Sequence, residues 1–324
     1  MSMKLFRHWD ALPTEVCGSV VALGNFDGVH CGHRAVIATA QRIAAESGGL
    51  PAVLTFEPHP RAVFRPQEPP FRLTPLRVKA RLLEAQGVAA LFVLHFDSGF
   101  WHKSAENFVR DVLVAGLRVR HVVAGYDFLF GHRRTGDVHR LVRMGAELGF
   151  AVTEVGPVAD PCGGVFSSTR VREALLAGRP EEATRLLGHP WEIEGRVETG
   201  DRIGRTLGFP TANFGFGDYL RPAFGVYAVR AGVDAGAETT WYQGVANLGH
   251  RPTVAGPSER VEVHLLDFSG DLYGRHLRVQ LIQHLRPEQK FPDLAALRAQ
   301  IVEDCRLSRI ILQEFSLFSG KEEV

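Results

Sequence analysis

The hydrophobic periodicity changes once along this chain, near residues 188–190, and that change limits the architecture more than any other feature. From residue 20 to 187, short apolar runs alternate with segments of helical spacing, the pattern of a parallel sheet wrapped by helices. Strands are predicted at residues 20–23, 52–56, 90–94, 121–124 and 151–155. The helices between them have readable ends: Thr74-Pro75 opens one that Gly87 closes, Ser104 opens one that Gly116 closes, and a third runs to Gly149. Residues 175–178 and 180–188 look like two shorter helices, after which Gly188-His189-Pro190 breaks the pattern. Beyond the break the period is two: WEIEGRVET, GVYAVRAG, WYQGVAN, RVEVHLLDF and HLRVQLIQHL read as strands, with a sixth near residues 209–214. Short strands without intervening helices predict a small antiparallel barrel. A terminal helix follows from about residue 293, with Leu294, Leu297, Ile301 and Cys305 on one face, which places Cys305 in a core. The expected fold class is α/β: a doubly wound parallel-sheet domain over residues 1–188, then a small antiparallel β-barrel with a terminal helix over 189–324.

At 324 residues the chain has room for two domains of about 150 residues each. Lys and Arg number 37 against 36 Asp and Glu, a formal charge of +1, so the clustered cations that drive sequence-independent nucleic-acid binding are lacking. No apolar run approaches the roughly 20 residues that span a bilayer. Arg7, His8, Asp10 and Glu15 interrupt the N-terminus, so no secretory signal is visible. These observations point to a cytoplasmic enzyme of small-molecule substrates, with neither nucleic acid nor membrane as partner. The four cysteines, Cys17, Cys31, Cys162 and Cys305, are too scattered for a disulfide framework. Cys31 lies between His30 and His33, but neighbouring ligands in one tight turn do not converge on a single ion.

Two segments carry phosphate chemistry. The strand at 20–23 runs into Gly24-Asn25-Phe26-Asp27-Gly28-Val29-His30-Cys31-Gly32-His33, and a helical segment follows from Arg34. A glycine-rich turn between a strand and a helix N-terminus presents unpaired backbone N–H groups in a positive potential, which suits phosphate. His30 and His33, at the mouth of that helix, can each donate a ring N–H as negative charge builds in a transition state. Downstream, Ser167-Ser168-Thr169-Arg170-Val171-Arg172 opens another helix. Hydroxyls there cap free amides, yet three hydroxyls and two arginines exceed what capping requires. If the sheet brings this turn beside His30, Arg172 completes a two-sided clamp on a polyphosphate.

In the second half, Gly200-Asp201-Arg202-Ile203-Gly204-Arg205-Thr206-Leu207-Gly208-Phe209-Pro210-Thr211-Ala212-Asn213 is no Walker loop, because it lacks the GK[ST] ending. Gly200, Gly204 and Gly208 fit a flexible arch over a nucleotide, or simply barrel turns. Thr211 and Asn213 alternate onto one side of an extended segment and offer the hard oxygens that Mg²⁺ prefers. Glu262 in RVEVHLLDF projects from the face opposite Val261 and Val263, as a carboxylate at a site or on a solvated strand.

The pair GNFDGVHCGH and SSTRVR resembles the HxGH nucleotidyltransferases, whose domain is Rossmann-like. TFEPHP, LTPLRVKARLLEAQGV, FVLHFDSGFWHKSAENFV and VVAGYDFLFGHRRTGD narrow the resemblance to the FMN adenylyltransferase module of the bacterial bifunctional riboflavin kinase/FAD synthetases, over roughly residues 15 to 188. It implies that His30, His33, Ser168 and Arg172 hold ATP phosphates, while Gly24, Asp27 and Gly32 shape the nucleotide pocket with Ser167 and Thr169 nearby. Cys31 and Leu129 depart from the residues usual in that family. GxxxGRxLGFPTAN, with GVANLGHRPT and VEVHLLDF, is similar to the riboflavin kinase module over residues 190 to 291. That likeness implies Thr211 and Asn213 as Mg²⁺ ligands, Glu262 as general base, and Gly200, Gly204, Arg205 and Gly208 against nucleotide. The implied substrates and products are ATP, riboflavin, FMN and FAD. A monospecific nucleotidyltransferase fused to an inert barrel, and a flavin-binding regulator without turnover, are the alternatives.

Overall fold

The computed structural model describes residues 2–199, 208–235, 238–253 and 256–319. The chain forms two compact units: Met1–Pro69 with Thr74–Ser167, and Pro70–Leu73 with Ser168–Val324.

In the first unit the elements run β1 (Lys4–Phe6), β2 (Val20–Leu23), α1 (Cys31–Ser47), β3 (Pro51–Glu57), α2 (Pro60–Phe64), α3 (Leu76–Ala85), β4 (Ala90–His95), α4 (Ser98–Trp101), α5 (Ala105–Asn107), β5 (His121–Gly125), α6 (Val138–Leu148) and β6 (Ala151–Val155). A π-helical stretch, Phe108–Gly116, continues α5. The strands form one parallel sheet in the order β1-β4-β3-β2-β5-β6. Alternation assigns each side chain to a face. Val20 and Ala22 pack with Val36, Ile37 and Ala40 of α1 and Leu83 of α3, whereas Val21 and Leu23 pack with Phe108, Val109, Val112 and Leu141 on the other side. Both faces are thereby covered, and the predicted strands are all present. β1 was not expected from the sequence, because three residues with one half-buried side chain show no readable period. Ser104 does open the next helix, its hydroxyl accepting from the Asn107 amide at 3.1 Å. The π-helical turns that follow are marked by the Leu117 amide bonding to the Val112 carbonyl at 2.8 Å.

The second unit contains α7 (Ser168–Leu176), α8 (Pro180–Leu187), β7 (Trp191–Arg196), β8 (Ala212–Gly215), β9 (Gly225–Ala235), β10 (Glu238–Thr253), β11 (Gly256–Leu265), β12 (His276–Arg286) and α9 (Leu294–Ser319). The helix expected at 175–178 is the last turn of α7, which Gly178 ends in a left-handed conformation. Six antiparallel strands in the order β7-β12-β9-β10-β11-β8 curl into a half-barrel. Beyond β7, the Glu198 amide donates to the Asn213 carbonyl of β8 at 2.8 Å, so the two edges meet there. Ile193, Val229, Ala231, Val261, Val263, Val279 and Leu281 are among the buried residues of this sheet. The strip 70–73 belongs to this unit through the Leu220 amide on the Arg72 carbonyl (2.8 Å) and the Trp191 indole on the Leu73 carbonyl (2.9 Å).

The terminal helix corrects one expectation. Leu294 is 64% exposed and Cys305 only half-buried, while Asp304, Ser308 and Leu312 are the covered residues. The covered face is part apolar and part polar: Leu312 packs with Ala228 and Ile282, while the Arg286 guanidinium donates to Asp304 from Nε (3.0 Å) and Nη2 (2.8 Å), and Gln300 adds a third donor at 3.0 Å. A hydrophobic period cannot reveal a helix face whose covered positions include a carboxylate and a hydroxyl.

Asp304→Ala leaves Arg286 without its carboxylate at a covered position and is expected to cost about 3 kcal/mol, read as a lowered midpoint in urea unfolding of the whole chain. The Cys305 thiol is pushed up to about 11 by burial and by the neighbouring Asp304 carboxylate. Iodoacetamide at neutral pH should therefore label exposed Cys162 well before Cys305, as followed by peptide mass spectrometry.

Candidate functional site

In the first unit the strand order reverses between β2 and β5, and the crevice at the carboxyl ends of parallel strands is where such sheets bind ligands. The loop leaving β2 there holds Phe26, Gly28 and Val29 at φ of +50°, +89° and +45°, and delivers His30 to the start of α1. His30 caps the helix: its Nδ1 accepts the His33 amide at 3.2 Å. An accepting Nδ1 leaves the ring proton on Nε2, where it can be donated to a phosphate oxygen. The His30 and His33 rings stack with centroids 3.6 Å apart, so the structure brings the two histidines together. Gly32 permits this, since a Cβ there would lie 3.1 Å from His30 Cε1. No acidic residue sits in the first turn of α1, and burial raises the Cys31 thiol toward its neutral form. Nothing in that turn therefore opposes an anion at the helix N-terminus.

Asp27 faces inward. Its Oδ1 accepts the Thr74 amide at 2.9 Å and the Thr74 hydroxyl at 3.3 Å, and that hydroxyl accepts the Gly28 amide at 2.8 Å. It shapes the loop from within. Gly24 lies under the Phe26 ring, which a Cβ would approach to 3.1 Å. Thr74 and Lys79 were missed as site residues. Thr74 is legible only as a helix start, and a helical lysine has no sequence mark of burial.

Ser167 ends the first unit, and Ser168, Thr169 and Arg172 lie in α7 of the second. Thr169 is exposed and Val171 buried. Arg172 Nε donates to the Phe71 carbonyl at 2.9 Å, with the guanidinium 5.4 Å from the Phe71 ring centroid. That anchorage fixes the side chain of a residue read from sequence only as a phosphate cation.

On the half-barrel, the ladder sets Glu262 of β11 between Asn213 of β8 and Asn247 of β10. Val261 and Val263 fill the core face, so the carboxylate stands on the opposite one. Asn213 Nδ2 donates to the Thr211 carbonyl (3.2 Å) and hydroxyl (3.3 Å). Asn213 Oδ1 is buried and has no hydrogen-bond partner among the described residues. A buried amide oxygen without a donor, beside a threonine hydroxyl and a carboxylate strand, fits a hard divalent cation. His264, two residues along β11, bonds through Nδ1 to the Pro210 carbonyl at 2.9 Å and meets the Phe209 ring edge-on at 5.4 Å. This ties the turn after Gly208, itself exposed at φ +88°, to the Glu262 strand. Gly200, Gly204 and Arg205 lie outside the described residues. Asn247 and His264 went unread because their role depends on strand register, which one sequence does not print.

Comparison with known proteins adds to this geometry. Residues 12–170 match the FAD synthetase family model and residues 187–312 the riboflavin kinase model. A relative from Escherichia coli strain K12, called bifunctional riboflavin kinase/FMN adenylyltransferase, is 44% identical over 306 residues, covering 93% of this chain and 96% of its own. One of the same description from Bacillus subtilis strain 168 is 40% identical over 296 residues, covering 90% and 91%. A solved Streptococcus pneumoniae structure, described as a macrolide-efflux protein, superposes with a TM-score of 0.83 at 31% identity, over 95% of this chain and 99% of that one. Among the described residues no helix is long and apolar enough to cross a membrane. Matched by both family models, and by relatives over nine-tenths of their length and its own, the chain belongs to the bifunctional riboflavin kinase/FMN adenylyltransferase family.

Proposed function

We propose that the chain phosphorylates riboflavin to FMN with ATP and then adenylylates FMN with a second ATP, giving FAD and pyrophosphate. Adenylylation is assigned to residues 1–188 and phosphorylation to residues 189–324, with catalysis in the cytoplasm. The observation that carries the reading is the row Asn213–Glu262–Asn247 beside a buried, donorless amide oxygen, on the half of the chain matched by the riboflavin kinase model. An inert barrel or a regulator without turnover is not favoured, since both catalytic families match.

The two steps ask for different chemistry. The terminal ribityl hydroxyl of riboflavin is neutral and weakly acidic, so its attack on the γ-phosphorus of ATP gains from a carboxylate that takes the proton. Glu262 is that base, and ADP leaves. Thr211 and Asn213 would hold Mg²⁺, which supplies charge neutralisation on the nucleotide phosphates. Gly200, Gly204, Arg205 and Gly208 are assigned to the nucleotide of this step. FMN, by contrast, already carries an anionic oxygen to attack the α-phosphorus, and pyrophosphate leaves as that bond forms. That step needs alignment and charge stabilisation more than deprotonation. The α1 amides, the His30 and His33 ring N–H groups, the Ser167, Ser168 and Thr169 hydroxyls and the Arg172 guanidinium are assigned to it.

The activities should separate when pure protein is incubated with ATP, Mg²⁺ and either flavin, and the products are resolved chromatographically. Glu262→Ala should lower FMN formation by about a thousandfold while FAD synthesis from supplied FMN stays normal; loss of both in a folded variant refutes the assignment. Replacing both His30 and His33 with Ala should lower FAD formation by at least about a hundredfold and leave a kinase that accumulates FMN. Asn213→Ala should raise the Mg²⁺ concentration needed for half-maximal kinase rate by about tenfold, and an unchanged Mg²⁺ titration excludes it as a ligand.

A further inference from the structure

Lys79 on α3 has no solvent-exposed surface. A buried ammonium is costly, and an apolar side chain of the same length would fill the space at lower cost. Its contacts show what it does. Nζ donates to the Asn25 carbonyl at 2.7 Å and lies 3.3 Å from the Thr55 hydroxyl, which donates to the same carbonyl at 3.1 Å. That carbonyl belongs to the peptide entering Phe26, the first left-handed residue of the β2–α1 loop. An L-residue with a large side chain does not hold φ of +50° by preference, so the peptide before it must be fixed from outside. The consequence reaches the histidines. The Phe26 ring lies 5.2 Å from the His33 ring, which stacks on His30. Five residues before Lys79, Thr74 holds the middle of the same loop through Asp27 and Gly28.

We propose that Lys79 and Thr74 form a clamp that positions the β2–α1 loop, and through Phe26 and Gly28 the His30–His33 pair, for adenylyl transfer. Lys79 is a positioning residue: its ammonium holds a backbone carbonyl of the loop, and it acts on the reaction through the histidines. The inference rests on reading residues 24–33 as the adenylylation site. Because the α1 amides remain to hold ATP in the ground state, misplacing the histidines weakens the transition state chiefly, so kcat falls and KM does not.

The test measures FMN adenylylation and riboflavin phosphorylation on the same full-length protein. Lys79→Met keeps the length of the side chain and removes the donor. It should lower kcat for FAD formation by about thirtyfold, change the ATP KM by less than about threefold, and leave riboflavin phosphorylation intact. Lys79→Arg, which restores a cationic donor, should recover much of the loss. Thr74→Val should lower kcat in the same way and Thr74→Ser should not, which keeps the test open if Lys79→Met does not fold. Normal kcat in Lys79→Met and Thr74→Val overturns the clamp, as does a loss that Lys79→Arg and Thr74→Ser share equally. The His30/His33 double Ala variant separates the two failures. If it loses FAD formation while the clamp variants do not, the clamp alone is wrong; if it keeps FAD formation, the site reading falls and the clamp with it.

Discussion

β2 is buried on both faces and hydrogen-bonded on both edges, so the chain leaving it has no freedom to wander before it must become a helix. Seven residues separate the end of β2 from the start of α1, and three of them adopt left-handed backbone. The geometry of the candidate site in the first unit depends on that turn being held. Thr55 from β3, with Thr74 and Lys79 from the start of α3, satisfies its inward-facing polar groups, while Phe26 and Val29 pack into the core. A helix N-terminus with no acidic residue in its first turn and a capping histidine then follows as a consequence of chain direction.

The second unit reaches a site by other means. Antiparallel pairing sets residues on neighbouring strands side by side, so a carboxylate and two amides from three distant segments come into one row without any helix terminus. The valines flanking Glu262 supply the packing that holds this row in register, since a slip by one residue would turn Glu262 into the core and a valine out of it. The two halves therefore present their chemistry differently: one through backbone amides and rings at a turn, the other through side chains on a sheet face. The difference is in keeping with the proposed division between an anionic nucleophile in one half and a neutral hydroxyl in the other.

Much of the fold was legible because both periods are strong and their punctuation is conventional. Ser104, Gly149 and Gly188 stand where helix ends require them, whereas α3 begins one residue later than expected, with Pro75 and not Thr74 at its cap. His30, His33, Asn213 and Glu262 were legible because their spacing stands out against a helix start or a strand. Elements that depend on distant partners were not. β1 has too few residues for a pattern and exists through β4, and α9 docks through Leu312 on Ala228 and Ile282 and through Asp304 on Arg286, when its apolar spacing had suggested another face. The inward turn of Asp27 and the burial of Lys79 belong to the same class, because a charged side chain is buried only where the fold supplies its partner.

By itself the sequence determined the two kinds of architecture and the chemical types available at each candidate site, since these follow from local periodicity and residue identity, whereas the compact units divide at residues 167 and 168, so that α7 and α8 join the antiparallel half. Tertiary structure alone decided the strand order that puts the β2–α1 loop at the reversal of the sheet. It also decided the register that sets Glu262 between Asn213 and Asn247, and the inward bonds that hold Phe26 in its left-handed conformation. Those are matters of which segments meet across long stretches of chain, and a local pattern of hydrophobic and polar residues carries no record of that meeting.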